Sequence, residues 1–249
     1  MKISMSGHSK WSTIKRKKAV TDAKRGAVFT KLARAITVAA RQGGGDPALN
    51  VSLRLEIEKA RQANMPKDNI DRAVKRGTGE LEGAILEEKT YEGYGPEGVA
   101  IVIKTVTDNS NRTVADIRKI FTQHGGSLGE SGSVLWMFEA RGILRMPIPD
   151  AKSRDDIELV AIDKGAEDIK EEDDQLVISA NPKNLTAIKE ALDDIPDKEI
   201  AMSETSVELI AKNEITISDE SVLDKLEKLF EALDDLDDVQ EVFSNHRPE

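Results

Sequence analysis

The chain has 249 residues, 39% of them apolar and only 4% aromatic, with a formal charge of −10, so it can bury an aliphatic core but has little material for an aromatic-lined ligand cavity. The absence of cysteine excludes disulfides, thiolate zinc sites and cysteine nucleophiles, and fits a reducing cytoplasm. No apolar run reaches the roughly 18 residues of a membrane span and the MKIS start lacks the apolar segment of a secretion signal, so a cytoplasmic protein without a membrane partner is expected.

The first element is a basic arm, WSTIKRKK, in which Trp11 and Ile14 serve as anchors while Lys15, Arg16, Lys17 and Lys18 stay in solvent. Four adjacent cations repel one another, and a polyanion that neutralises them also gains by releasing condensed counterions. A helix is predicted over Asp22–Gln42, capped by Thr21 or Asp22 and stopped by Gly43, Gly44 and Gly45. At about 100° per residue, Val28, Phe29, Leu32, Ile36 and Ala39 share one face, while Lys24, Lys31, Arg34 and Arg41 gather on another. Val38 interrupts that cationic face and Arg25 lies towards the apolar one. Asp46 and Pro47 read as the cap and first residue of a second helix running through Leu53, Ile57 and Ala60 towards Asn64. Val51, Leu53, Leu55 and Ile57 also alternate as a strand would, but EIEKARQA supplies strong helix formers. A third helix is predicted from Pro66 to a stop at Gly77, with Lys75 and Arg76 in its last turn, where they either complement the helix dipole or meet a ligand.

From about residue 80 the pattern changes to α+β. A Gly/Pro-rich turn leads into a strand over Val99–Val106, and NRTVADIRKIFTQHGG follows as a helix. SVLWMFE and GILRMPI read as paired strands, followed by a helix over SRDDIELVAIDKG, a strand at QLVISA, a helix over NLTAIKEALDDI and a strand in KEIAMSETSVEL. The end repeats the theme with a strand at NEITIS, a helix over DESVLDKLEKLFEALDDL and a strand at VQEVFSN. This order predicts an N-terminal helical bundle followed by two small open-sheet α+β units.

Charge is divided as sharply as structure. Residues 1–79 carry 18 Lys/Arg against 6 Asp/Glu, a net +12, and the remaining 18 basic and 40 acidic residues leave −22 for the rest. The pattern is that of a polyanion-binding module joined to a body that repels phosphate. Candidate contacts to nucleic acid are therefore Lys10, Trp11, Lys15, Arg16, Lys17, Lys18, Lys24, Arg25, Lys31, Arg34, Arg41, Lys75 and Arg76. Asn69, Arg72 and Arg76 on the third helix are a thin set for reading bases in a groove, whereas Trp11 among cations suits stacking on RNA. A secondary candidate is Asn109, Asn111 and Arg112 in TDNSNRT, whose simpler role is capping by Asn111 or Ser110.

Catalytic and metal patterns fail on context. Gly93-Tyr94-Gly95-Pro96-Glu97-Gly98 matches a dinucleotide fingerprint but is followed by a strand, not a helix. Gly125-Gly126-Ser127-Leu128-Gly129 has the nucleophile-elbow spacing but trails a helix, so Ser127 and His124 give no hydrolase; His124 reads as a helix-end residue. His8, His124 and His246 are scattered, and Asp234, Asp235, Asp237 and Asp238 lack the glycine and terminal Glu of a calcium loop. No enzyme, cofactor or metal is expected.

GHSKWSTIKRKKAVTDAKRGAVFTKLAR, ARQANMPKDNIDRAVKRG, YEGYGPEGVAIVIKTVTDNSNRTVADIRKIFTQHGG and GSVLWMFE together resemble the YebC family, which includes a mitochondrial translational activator of cytochrome oxidase. The likeness extends over nearly the whole chain; it departs at Glu97, where many relatives read Gly, and at MKIS, which precedes the usual start at Met5. The resemblance implies a basic helical domain at 1–80, a ferredoxin-like domain formed by 81–132 with 209–249, and a second ferredoxin-like domain inserted at 133–208. It also implies a non-enzymatic regulator of gene expression, a DNA-binding transcriptional regulatory protein or, alternatively, a ribosome-associated translation factor that binds ribosomal RNA and relieves stalling. A third reading is a protein-interaction module whose basic region docks an acidic partner or the chain's own C-terminal half.

Overall fold

The computed structural model describes residues 22–172, 174–195 and 202–249. The protein is α+β, and its backbone packs as two compact units: one formed by the described residues up to Met137 together with Ala211–Glu249, the other by Phe138–Ile210.

The first unit opens with helices α1 (Asp22–Gly43), α2 (Val51–Gln62) and α3 (Lys67–Thr78). Ile36, Ala39 and Ala40 of α1 meet Leu53, Ile57 and Ala60 of α2 and Ile70 and Ala73 of α3, with Phe29 and Leu32 packed at the margin. The apolar face read from the 3.6-residue period is therefore the buried one. Two expected boundaries move. The second helix does not begin at Asp46-Pro47; those residues make a single turn in which Asp46 O accepts from Leu49 N and Asn50 N. Asn50 is the cap, its Oδ1 accepting from Leu53 N at 3.0 Å while its Nδ2 donates to Ala39 O and Gly44 O, both at 2.8 Å. One amide thus starts α2 and satisfies carbonyls at the end of α1, which Asp46 could not do because a carboxylate has no donor.

Gly77 likewise does not stop the third helix. It lies inside α3, which ends at Gly79 with φ 84°, the left-handed conformation that favours glycine. Gly77 is where α3 presses on α1: a Cβ there would collide with the Thr37 carbonyl oxygen and come within 2.6 Å of the Ala40 Cβ. Thr37 Oγ1 fixes the same crossing by donating to Ala73 O at 3.1 Å. Gly77→Ala must push the helices apart, and overpacking of this kind costs about 1–3 kcal/mol. A urea denaturation curve should show that loss; an unchanged midpoint would mean that the crossing tolerates a methyl group.

The sheet of this unit has the order β3-β1-β2-β9, with β1 Glu87–Tyr94, β2 Ala100–Thr107, β3 Ser127–Leu128 and β9 Val239–Ser244. β1 is antiparallel to both β2 and β3, and β2 is antiparallel to β9. Helices α4 (Ser110–Gln123) and α7 (Glu220–Asp234) cover one face, where Ile101 and Ile103 meet Ile117, Phe121, Leu226, Leu229 and Leu233. The hairpin of β1 and β2 forms the middle of the sheet, which is closed by a strand from the far end of the chain. Short strands β8 (Ile215–Ile217) and β10 (His246–Pro248) pair in parallel beside it. Glu97, in the turn between β1 and β2, has φ 56°. That region disfavours a Cβ, which accounts physically for the glycine that the resemblance places there.

SVLWMFE is not a strand paired with GILRMPI. Leu135–Met137 form a 3₁₀ turn, and Phe138–Pro147 is one continuous strand, β4, paired with the strand Gln175–Ala180. The preceding loop is held by the buried Glu92 carboxylate, which accepts from Gly132 N at 2.6 Å, Val134 N at 2.8 Å and Leu135 N at 2.7 Å. Burial alone would raise the Glu92 pKa, but these three N–H groups hold it below the usual carboxylate range.

The second unit runs β4, α5 (Ala151–Asp163), β5 (Ala166–Glu172), β6 (Gln175–Ala180), α6 (Leu185–Asp193) and β7 (Glu204–Ala211), with sheet order β5-β6-β4-β7. This is a ferredoxin-like βαββαβ fold. Leu144 and Met146 of β4 and Leu176 and Ile178 of β6 face Ile157 and Ala161 of α5 and Leu185, Ile188 and Leu192 of α6.

Candidate nucleic-acid interface

Of the cations that the sequence nominates, Lys10, Lys15, Arg16, Lys17 and Lys18, together with Trp11, lie outside the described residues, as does the side chain of Lys24. Arg25 is exposed on the first turns of α1.

The rest of the cationic face of α1 is turned towards the sheet of its own unit. Lys31 is buried, and its Nζ donates to Asp234 Oδ1 at 3.0 Å and to the Asp234 carbonyl. Arg34 donates to Val106 O at 3.1 Å and pairs with the Asp238 carboxylate. Arg41 Nη1 donates to Leu86 O at 2.9 Å, and the neighbouring Gln42 reaches Glu88 Oε2 at 2.7 Å. Val38, which interrupts this face in the sequence, is buried. The face is an intramolecular contact, and an apolar residue inside it is what such a contact requires.

Asp238 is the hub. Besides Arg34 it receives Arg112 Nη2 at 2.9 Å, Thr113 Oγ1 at 2.6 Å and Thr107 Oγ1 at 3.1 Å. Burial by itself would raise its pKa, but the hydrogen bonds from Thr113, Arg112 and Arg34 and the Arg34 charge outweigh that and hold it down at about 2. Arg112 also reaches Asp108 at 2.8 Å. The capping assignment shifts within TDNSNRT: Asn109, not Asn111 or Ser110, caps α4, accepting from Arg112 N at 3.1 Å. Asn109 can do so because it sits in the extended conformation one residue before the helix, whereas Ser110 is already helical. Asn111 is exposed.

Lys75 and Arg76 are exposed in the last turn of α3. Their side chains form no hydrogen bond or ion pair among the described residues, and the same holds for Arg54 and Arg61 of α2 and Lys67 of α3. These three are absent from the set that the sequence nominates; only Arg61 lacks a carboxylate at i±4, whereas Arg54 and Lys67 are followed by Glu58 and Asp71 and yet form no pair with them. Arg72 donates to the Asp68 carbonyl at 3.2 Å and to Asn69 Oδ1, and has no carboxylate in contact. Arg72 and Arg76 open onto a cleft of about 570 Å³ whose lining includes Phe29, Met65, Leu86 and Asn69, with Arg34, Glu82 and Asp108 also at its walls. The arrangement offers unpaired guanidinium and ammonium groups to an anionic chain.

Residues 9–80 match the model of the TACO1/YebC protein N-terminal domain, and residues 86–246 match the TACO1/YebC second and third domain. A protein of Persephonella marina named probable transcriptional regulatory protein is 52% identical over 246 residues, spanning 97% of this chain and 95% of its own. One of Moorella thermoacetica with the same name is 49% identical over 242 residues, with the same coverage. The crystal structure of a conserved hypothetical protein from Aquifex aeolicus superposes with a TM-score of 0.85 at 41% identity, covering 97% of this chain and 98% of that one. The chain belongs to the TACO1/YebC family.

Proposed function

We propose that the protein is a non-enzymatic, nucleic-acid-binding regulator of gene expression that holds sugar-phosphate backbone on its basic N-terminal region, acting in transcription as the names of its relatives suggest. The observation that carries this reading is the set of uncompensated cations on α2 and α3, Arg54, Arg61, Lys67, Lys75 and Arg76, in a chain whose residues beyond 79 carry −22. Lys31, Arg34 and Arg41 act in the fold rather than on the ligand, and the arm from Lys10 to Lys18 adds further positive charge to the same region. The domain plan that goes with this reading is 1–80 for binding, with 81–132 plus 209–249 and 133–208 as acidic bodies that orient it.

The salt dependence of affinity tests this. Each neutralised phosphate contributes about 0.7–0.9 to the slope of log K against log salt. Replacing Arg54, Arg61, Lys67 and Lys75 together by Ala should flatten that slope by about 3. Lys31→Ala should leave the slope unchanged while lowering stability. An unaltered slope in the quadruple variant, or no retention of DNA or RNA by the full chain in dilute buffer, overturns the reading.

A further inference from the structure

Resting on that reading, the shape of the cleft beside α3 says which form of nucleic acid it accepts. A duplex presents an unbroken convex backbone with its bases stacked inside, so a basic protein surface can grip it without any cavity. Here Arg72 and Arg76 instead border a concavity of about 570 Å³ with Phe29 and Met65 among its walls, Arg34 adding a third cation against the carboxylates of Glu82 and Asp108. That volume lies within the range of small-ligand sites, roughly 300–1,000 Å³, and Phe29, Met65 and Leu86 give a flat organic body an apolar surface to lie against. Phe29 is packed against the helical core on one side and half-buried, leaving part of its ring to the cleft.

The rim is complementary to a phosphate. Arg72 and Arg76 stand four residues apart on one helical face, and neither touches a carboxylate. Like charges at this spacing destabilise a helix in the free protein, and a bound phosphate relieves the repulsion while accepting from both guanidinium groups. Asn69, one turn earlier, accepts from Arg72 through Oδ1, and its Nδ2 has no partner among the described residues, so one amide donor remains for a base edge.

We propose that this cleft receives one unstacked nucleotide of a single-stranded segment, with its phosphate on Arg72 and Arg76 and its base against Phe29 and Met65. Single strands, loops and bulges can supply such a base freely, whereas a duplex must first break stacking and pairing.

The test uses the full chain and three probes of mixed sequence: a labelled single strand, a duplex with the same number of phosphates, and free adenosine monophosphate. The single strand should bind at least about 10-fold tighter than the duplex, a stacked base being worth some 1–3 kcal/mol. Arg72→Ala with Arg76→Ala should weaken the single strand by about 10–100-fold and the duplex by much less. Phe29→Leu, which keeps the apolar volume and so the fold, should weaken the single strand by about 10-fold with little change in thermal midpoint. Equal affinity for both strands, with both variants reducing them alike, overturns the cleft as a nucleotide site while leaving the basic region as a phosphate grip. Saturable binding of free adenosine monophosphate without preference for the single strand also overturns it, assigning the cleft to a free nucleotide. Failure to bind any strand removes both this inference and the function on which it rests.

Discussion

Glu208→Ala should lower stability by about 3–5 kcal/mol, the loss expected when one partner of a buried ion pair is removed. Arg145 on β4 and Glu208 on β7 are 4% and 6% exposed, and their side chains meet in a two-pronged contact that includes Nη2 to Oε2 at 2.9 Å. Ser206 Oγ donates to the same carboxylate at 2.9 Å, and Glu204 lies 3.3 Å from Arg145 as a lesser partner. Deleting Glu208 strands a guanidinium where water cannot replace the lost carboxylate, and Glu204 offsets only part of that. In chains of this size each kcal/mol is worth roughly 2–4 °C, so the thermal midpoint should fall by about 6–20 °C. Replacing both residues by Leu should cost less than Glu208→Ala alone, because no charge is then left buried. A single variant within about 1 kcal/mol of the parent in urea denaturation would show that the pair is effectively solvated.

Asp238→Asn is the second large effect, and it bears on the binding region. The carboxylate holds Arg34 of α1, Arg112 of α4 and the hydroxyls of Thr107 and Thr113 at once. Its folded pKa of about 2 lies below the ordinary Asp value of about 3.9, so the ionised group stabilises the fold at pH values above about 4. That contribution, about 2 kcal/mol at neutral pH, disappears as pH falls from about 4 to about 2. The Asn variant should therefore be less stable than the parent by about 2–3 kcal/mol at pH 7, with the gap narrowing on acidification below pH 4. Urea midpoints at pH 7 and pH 3 measure this directly. A gap that stays constant across the two would show that the charge of Asp238 is not what matters.

The helices of the N-terminal region are legible because their signals are local. Val28, Phe29, Leu32, Ile36 and Ala39 recur at helical spacing, and Pro66 and the glycines mark real breaks. Where local signals misled, a second demand on the same residue was responsible. Gly77 reads as a terminator yet serves a helix crossing, and Asp46-Pro47 has the form of a start while Asn50 satisfies two helix ends together. SVLWMFE has the composition of a strand, but the Glu92 carboxylate draws its leading backbone N–H groups into a loop.

By itself the sequence determined the α+β plan, the order of its helices, the family resemblance and the concentration of positive charge in the first third, because composition and periodicity are properties of neighbouring residues; the strands Glu87–Tyr94 and Ala166–Glu172, rich in charge and glycine, escaped it. Only the tertiary structure decided what each cation faces. Lys31 and Arg34 have the spacing of a phosphate-binding stripe, yet their carboxylates, Asp234 and Asp238, lie more than 200 positions away in the chain. Arg72 and Arg76, also one helical turn apart, have no carboxylate in contact and border an open cleft. Charge pairing depends on distance in space, and the folded chain alone sets which anions come near.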